Sequence, residues 1–172
     1  MIVHPIPPFF DGDSKILILG SFPSVKSRET GFFYGHPQNR FWRVLAEIFS
    51  EPIPKTVDEK RELLRQNKIA LWDVIASCDI EGSADSSIRN AVPNDLSVIL
   101  SEADIKRIFV NGKTAEKYYK KYQEPQIKRP AMLLPSTSPA NAAVGFTELV
   151  SIWRGALFCE VKKYEATCTK IL

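Results

Sequence analysis

Four aliphatic residues in a row, Ile16-Leu17-Ile18-Leu19, end abruptly at Gly20. No polar side chain breaks the run, so both faces of the segment need apolar cover. That pattern belongs to a strand inside a parallel sheet, because a strand with one face in water would alternate. A parallel neighbour is reached only by a crossover, for which a helix is the usual solution. Residues 41–49 (FWRVLAEIF) supply one, with Phe41, Leu45, Ile48 and Phe49 on a single stripe. Three further apolar runs follow, at 68–76 (KIALWDVIA), 105–110 (IKRIFV) and 131–134 (AMLL). Thr56 and Glu59 form a Thr-x-x-Glu capping box that opens a helix through residue 67. Asn94 is placed to cap a short helix over 95–102, and residues 113–122 and 145–157 read as two more helices. This order predicts an α/β fold: a three-layer α/β/α sandwich around a parallel sheet of about four strands, with right-handed crossovers. The 172 residues fit a single domain spanning the whole chain.

The ends add little. Residues 1–14 read as an extended arm, because Pro5, Pro7 and Pro8 oppose a helix. FCEVKKY, residues 158–164, is ambiguous, an edge strand being one reading. No apolar stretch approaches the roughly 20 residues of a membrane span. The N-terminus also lacks the basic start and apolar run of a signal peptide, so a cytoplasmic protein is expected. Cys78, Cys159 and Cys168 form no C-x-x-C pair and are too few for an iron–sulfur cluster. With His4 and His36 as the two histidines, no metal site is expected. A net charge of +3 allows a nucleic-acid partner without requiring one. KYYKK at 117–121 is a phosphate-facing strip or, as charge runs more often are, a solvated helix face.

Chemistry concentrates in three segments that follow strand ends. Residues 21–40, about twenty without periodicity, carry Ser21, Ser24, Tyr34, His36, Gln38, Asn39 and Arg40. A second loop covers 77–92 and a third covers 136–141 (STSPAN). In an open α/β sheet such loops share the ligand-binding edge. Familiar phosphate and nucleophile motifs are missing. Gly112-Lys113-Thr114 ends like a phosphate loop, but Arg107 stands where its first glycine belongs. There is no G-x-S-x-G elbow, although Ser21 with His36 as base leaves a serine hydrolase open.

Read together, GSFPSVKS…GFFYGHPQNRFW, LWDVIASCDIEGSADSSI and LPSTSPANA resemble the uracil-DNA glycosylase superfamily. They are similar, respectively, to its first active-site motif, its base-pocket segment and the loop that enters the DNA minor groove. The forms GSFPS and SPANA resemble the hypoxanthine-DNA (deoxyinosine) glycosylase branch. The likeness runs from about residue 10 to residue 153. It implies a monomeric, monofunctional DNA repair glycosylase of base excision, acting by base flipping on DNA that contains deaminated bases. Hypoxanthine is the first expectation, with uracil or xanthine as others, and no cofactor or metal is implied.

The resemblance gives Asn39 the task of positioning the attacking water; spacing alone equally allows it to cap the helix behind it. Several branches place their catalytic Asn or Asp two residues after the strand-end glycine, where this chain has Phe22. The base pocket is expected from Phe22, Pro23, Tyr34, His36 and Asp73. Tyr34 is the aromatic that stacks on the extruded base. Asp73 stands in an apolar strand and therefore needs a partner, such as Arg89, or a purpose. Its purpose would be to accept from the ring N–H that hypoxanthine and uracil share and that adenine and cytosine lack. His36 is to steady the leaving base or bond a carbonyl. DNA contacts are expected from Ser24, Ser136, Ser138, Pro139, Ala140 and Asn141, with Asn141 filling the gap behind the flipped base. A nucleic-acid-binding protein without catalysis is the principal rival reading, kept open by Phe22.

Overall fold

The structure, a computed structural model, describes residues 1–159. Its elements in chain order are β1 (Ile2–Val3), β2 (Ile16–Gly20), α1 (Val25–Thr30), α2 (Phe41–Phe49), α3 (Val57–Gln66), β3 (Ile69–Asp73), β4 (Ile75–Asp79), β5 (Arg89–Pro93), α4 (Ser97–Leu100), β6 (Arg107–Asn111), α5 (Lys113–Tyr118), α6 (Glu124–Ile127), β7 (Met132–Leu134) and α7 (Phe146–Phe158). Strands β3, β2, β6 and β7 lie side by side in that order and all run parallel. β2 is therefore interior, and Leu17, Ile18 and Leu19 are wholly buried, as an unbroken aliphatic run requires. Helices pack on this sheet in the three-layer α/β/α arrangement that the element order predicts. α2 and α7 meet through Phe41 and Trp153, edge to face at 5.8 Å. Both bonds of the Thr56–Glu59 capping box are made, at 3.1 and 3.0 Å, and α3 starts where the box places it.

The run 68–76 is not one strand. β3 ends at Asp73, the chain turns at Val74, and β4 joins β1 and β5 in a separate antiparallel sheet of order β1-β4-β5. Asn94 explains the switch. Its amide donates to the carbonyls of both Asp73 (2.8 Å) and Ile75 (3.2 Å), straddling the corner. This corrects the expectation that Asn94 caps a helix. Asp95 instead accepts from the Ser97 N–H at 2.9 Å, and the helix shortens to α4. The expected loop at 77–92 is largely the β4–β5 hairpin, and the arm supplies that sheet's third strand, β1. The helix from residue 113 continues beyond α5 as a π-helical turn, Tyr119–Gln123. α7 ends at Phe158, so residues 160–164 of the ambiguous C-terminal segment lie outside the described residues. Among the described residues no helix is long and apolar enough to cross a membrane.

Asn94→Ala leaves two inward-facing carbonyls without their donor. Loss of one buried partner costs about 1–3 kcal/mol. The variant is expected to lower the urea midpoint by that stability with an unchanged m-value, and an unaltered midpoint would mean the corner holds without it.

Candidate active site

The parallel strands end at one edge, and there Gly20 registers against Asp73. The Asp73 carboxyl lies directly over the Gly20 Cα. A Cβ at residue 20 would collide with Asp73 Oδ1 and crowd the Tyr34 hydroxyl, so glycine is required. Asp73 is 4% exposed. Its partner is His4, not Arg89: His4 Nε2 lies 2.8 Å from Asp73 Oδ2, with both side chains almost fully buried. Arg89 donates instead to the carbonyls of Ser86 and Ile88. His4 Nδ1 accepts from the Ile6 N–H at 3.1 Å, so the neutral ring carries its proton on Nε2 and donates it to the carboxylate. No local pattern marks His4 as a site residue, since it sits in a proline-rich arm.

The first loop is not free of regular structure. α1 interrupts it, and Ser24 is the N-cap, accepting from the Ser27 N–H at 3.1 Å. That is a structural bond at a residue expected to meet DNA. Phe22 is buried, edge-on to the His4 ring at 5.7 Å and beneath the Arg28 guanidinium at 5.7 Å. Pro23 is buried too, and its carbonyl accepts from Arg28. Tyr34 adopts a positive φ of 53° and stacks one face on Phe41, with ring centroids 3.9 Å apart. Its hydroxyl is buried beside the Asn111 amide without reaching good hydrogen-bond geometry. Burial pushes that phenol well above its usual range, and the Asp73 charge adds to the shift. His36 Nδ1 accepts from the Gln38 N–H at 3.2 Å, which leaves Nε2 as the ring's donor. Gln38 is exposed. Asn39 is partly exposed and stands one residue before Arg40, the N-cap of α2; its Oδ1 accepts from the Phe41 N–H at 3.0 Å, an Asx-turn bond that satisfies the first N–H of the helix.

The first and third loops are adjacent, joined by a residue that the sequence reading left without a role. Arg40 donates to Val144 O (2.6 Å), Asn141 O (2.8 Å) and Ser138 O (3.3 Å), with Ser136 O at 3.5 Å. Its own N–H donates to Thr137 O at 3.0 Å. One signal was present: a cation at a helix N-terminus opposes the macrodipole and needs another reason to be there. Asn111, at the end of β6, clasps buried Thr137 through both N–H and hydroxyl, at 3.0 and 2.9 Å. Gly112 follows with φ 96°, close under Ser136. Inside the third loop the Ser136 hydroxyl accepts from Ser138 N–H and the Ser138 hydroxyl from Ala140 N–H, each at 3.2 Å. The Asn141 amide folds back onto Ser136 O at 3.0 Å, so this side chain braces the loop. Pro139 and Ala140 are the exposed tip.

The hairpin loop reaches the same edge. Ser21 Oγ donates to the Asp85 carboxylate, 3.0 Å from each oxygen, and Ser83 accepts from the Val25 N–H at 2.9 Å. Although Asp85 as a residue is exposed, its carboxyl faces inward onto Ser21. Partial desolvation pushes that carboxyl up from the usual range, with Asp73 adding to the rise and the Ser21 and Thr114 bonds opposing it. Ser21 thus faces a carboxylate, not an imidazole, and the Ser21–His36 nucleophile pair is not formed. In the KYYKK strip Lys120 pairs with Glu116 at 2.7 Å, while Lys117 and Lys121 lie over the rings of Tyr118 and Tyr122. Among the described residues no group of three His, Cys, Asp or Glu is arranged to hold a metal ion.

Arg40→Lys keeps the charge but replaces a planar fork by a point charge that cannot serve four carbonyls. It is expected to cost about 1–3 kcal/mol and to speed proteolytic cleavage within residues 136–144. Equal cleavage rates in variant and wild type would show that the loop does not depend on the fork.

Residues 7–156 match the family model of the uracil DNA glycosylase superfamily. A hypoxanthine DNA glycosylase from Methanosarcina acetivorans is 36% identical over 146 residues, covering 82% of this chain and 89% of that one. Another from Methanosarcina barkeri is 39% identical over 114 residues, covering 65% and 72%. The solution NMR structure of a candidate uracil DNA glycosylase from Methanosarcina acetivorans superposes with a TM-score of 0.74 at 32% identity, over 91% of this chain and 99% of that one. The GHPQNRFW and LPSTSPAN segments, brought into contact here by Arg40, lie within the matched span, and the chain belongs to the uracil DNA glycosylase superfamily.

Proposed function

We propose that this protein is a monofunctional DNA glycosylase that hydrolyses the N-glycosidic bond of deaminated bases in DNA, hypoxanthine first among them. The observation that carries the reading is the Asp73 carboxylate, buried at the sheet's ligand-binding edge with Oδ1 over Gly20 and Asn39 on the neighbouring loop. The names of the two curated relatives support hypoxanthine as the base.

In this reading the target nucleotide leaves the stack at a cost of a few kcal/mol and enters a pocket beside Tyr34. Phe41 covers one face of the Tyr34 ring, so the part still accessible is what meets the base. Asp73 Oδ1 accepts the ring N–H of hypoxanthine and repels the bare ring nitrogen of adenine. His36 donates Nε2–H to the departing base. The C1′–N bond breaks with its electron pair leaving on the base nitrogen. Water held by Asn39 then adds to the cationic sugar carbon, and its surplus proton passes to solvent or the base. The hydroxyls of Ser136 and Ser138 accept from the loop's own backbone and keep their protons to donate to phosphate oxygens. Pro139 and Ala140 form the blunt tip pressed into the duplex, braced by Asn141. The protein acts as a cytoplasmic monomer and uses neither cofactor nor metal.

The direct test is a duplex with one deoxyinosine, incubated with the protein and then treated with alkali. Strand breakage at the lesion that needs the alkali step is expected. Binding without breakage would favour the non-catalytic rival. In single turnover, Asn39→Ala should slow base release by about 10²-fold or more, the scale of a positioned proton-handling group. Loss of the bond to the Phe41 N–H should lower stability by about 1 kcal/mol, and Asn39→Asp separates the two effects because it retains that bond. If Asn39→Ala releases base at the wild-type rate, the water-positioning role belongs to another residue.

A further inference from the structure

We propose that His4, delivered by the N-terminal arm, is a specificity-determining residue: it pins Oδ2 of Asp73 and leaves Oδ1 as the oxygen presented to the base. The inference rests on the reading of Asp73 as the base-edge acceptor and adds the arm to the recognition pocket.

Five observations place His4 in that role. Its Nε2 is 2.8 Å from Asp73 Oδ2, and among the described residues it is the side chain that bonds this carboxylate. The Ile6 N–H bond to Nδ1 fixes the proton on Nε2, so the ring faces the carboxylate as a donor. The ring cannot swing away. Phe22 stands edge-on to it at 5.7 Å and Phe33 lies at 6.4 Å. The arm is held by the β1–β4 pairing and by the His4 N–H on Ala76 O at 2.7 Å. Finally, the carboxyl plane is set on its other side by Gly20, whose Cα lies directly beneath Oδ1.

The chemistry follows. A carboxylate in a nearly dry site with one oxygen bonded by an imidazole has one oxygen left unbonded, and that oxygen selects a base with a ring N–H. Without His4 the buried carboxylate loses the donor that holds Oδ2, and it is free to rotate about its side-chain torsions. A carboxylate that turns no longer holds Oδ1 against the ring N–H of hypoxanthine, nor its charge against the bare ring nitrogen of adenine. Loss of His4 therefore relaxes the choice between hypoxanthine and adenine.

Two replacements of His4 separate this role from mere support of the arm. His4→Asn can still accept from the Ile6 N–H but is too short to reach Asp73. His4→Gln can place an amide N–H near the former Nε2 but loses the turn acceptor. Single-turnover release of hypoxanthine and of adenine from otherwise identical duplexes is measured for both, for Asp73→Asn and for the His4→Asn/Asp73→Asn double variant, with thermal melting as the folding control. The hypoxanthine-to-adenine ratio is expected to fall about 10-fold or more in His4→Asn, the scale of one lost hydrogen bond to a buried charge, and to recover in large part in His4→Gln. In the Asp73→Asn background, His4→Asn should change the ratio no further, because His4 acts through that carboxylate. If Asp73→Asn shifts the ratio while folded His4→Asn keeps the wild-type value, His4 is structural and this inference fails alone. If Asp73→Asn leaves the ratio unchanged, the reading of Asp73 fails and this inference with it. Should His4→Asn not fold, the Gln variant decides: a ratio as relaxed as that of Asp73→Asn would overturn the proposal.

Discussion

A carboxylate buried at the end of a parallel strand is expensive to keep, and much of the architecture around the site answers that expense. Leaving such a charge without partners costs several kcal/mol. Asp73 is 4% exposed. Its position is tolerable because the chain folds an arm back across the sheet edge and presents His4 Nε2 to it at 2.8 Å. Three other features meet at or beside this residue. Residue 20 must be glycine, because the carboxyl occupies the space of its Cβ. β3 ends at Asp73, and Asn94 holds that corner by bonding the main-chain carbonyls of Asp73 and Ile75. Phe22 must be a flat apolar ring, because it packs against the imidazole.

The third loop depends on a second polar device of opposite sign. A guanidinium that donates to carbonyls of one loop from the neck of another acts as a rigid spacer between them. Arg40 takes this part, and because it follows Asn39 directly, the amide and the third loop are fixed relative to each other within two residues. Asn111 pins the same loop from beneath through Thr137. The serines and Asn141 satisfy the loop's own backbone. A loop wired in this way is rigid, which in the proposed function lowers the ordering cost of binding DNA.

What was legible in the sequence divides along the range of the forces involved. β2, the capping box, α2 and α7 are set by neighbours within a few residues, and periodicity or cap chemistry reveals them. The parallel sheet followed from their order. The corner at Val74 was hidden because its cause, Asn94, is remote, and residues 68–76 have no interior breaker. In the site, Asp73 announced itself as a charge in an apolar strand, yet its partner stands 69 residues away and no local pattern names it. Arg40 stands out only as a cation at a helix N-terminus, and what it and Asn111 bond lies 101 and 26 residues further along the chain. The recognisable motifs located the loops that meet at the strand ends; the side chains that hold those loops in register are long-range and emerged with the fold.

The bond of Asn39 to the first N–H of α2 is compatible with its proposed role as water positioner. An amide oxygen has two lone pairs, and the bond to the Phe41 N–H uses one of them. That bond also fixes the side-chain torsions, so the remaining lone pair has a set direction and a bound water a set place. A water positioner without such a restraint would lose much of its effect to side-chain motion. Strand-end residues obtain the same rigidity from the sheet, but here that position is held by Phe22, which buttresses His4. In the proposed reaction, an amide at the head of α2 that positions water leaves residue 22 to support the carboxylate that reads the base, and both tasks rest on rigid elements.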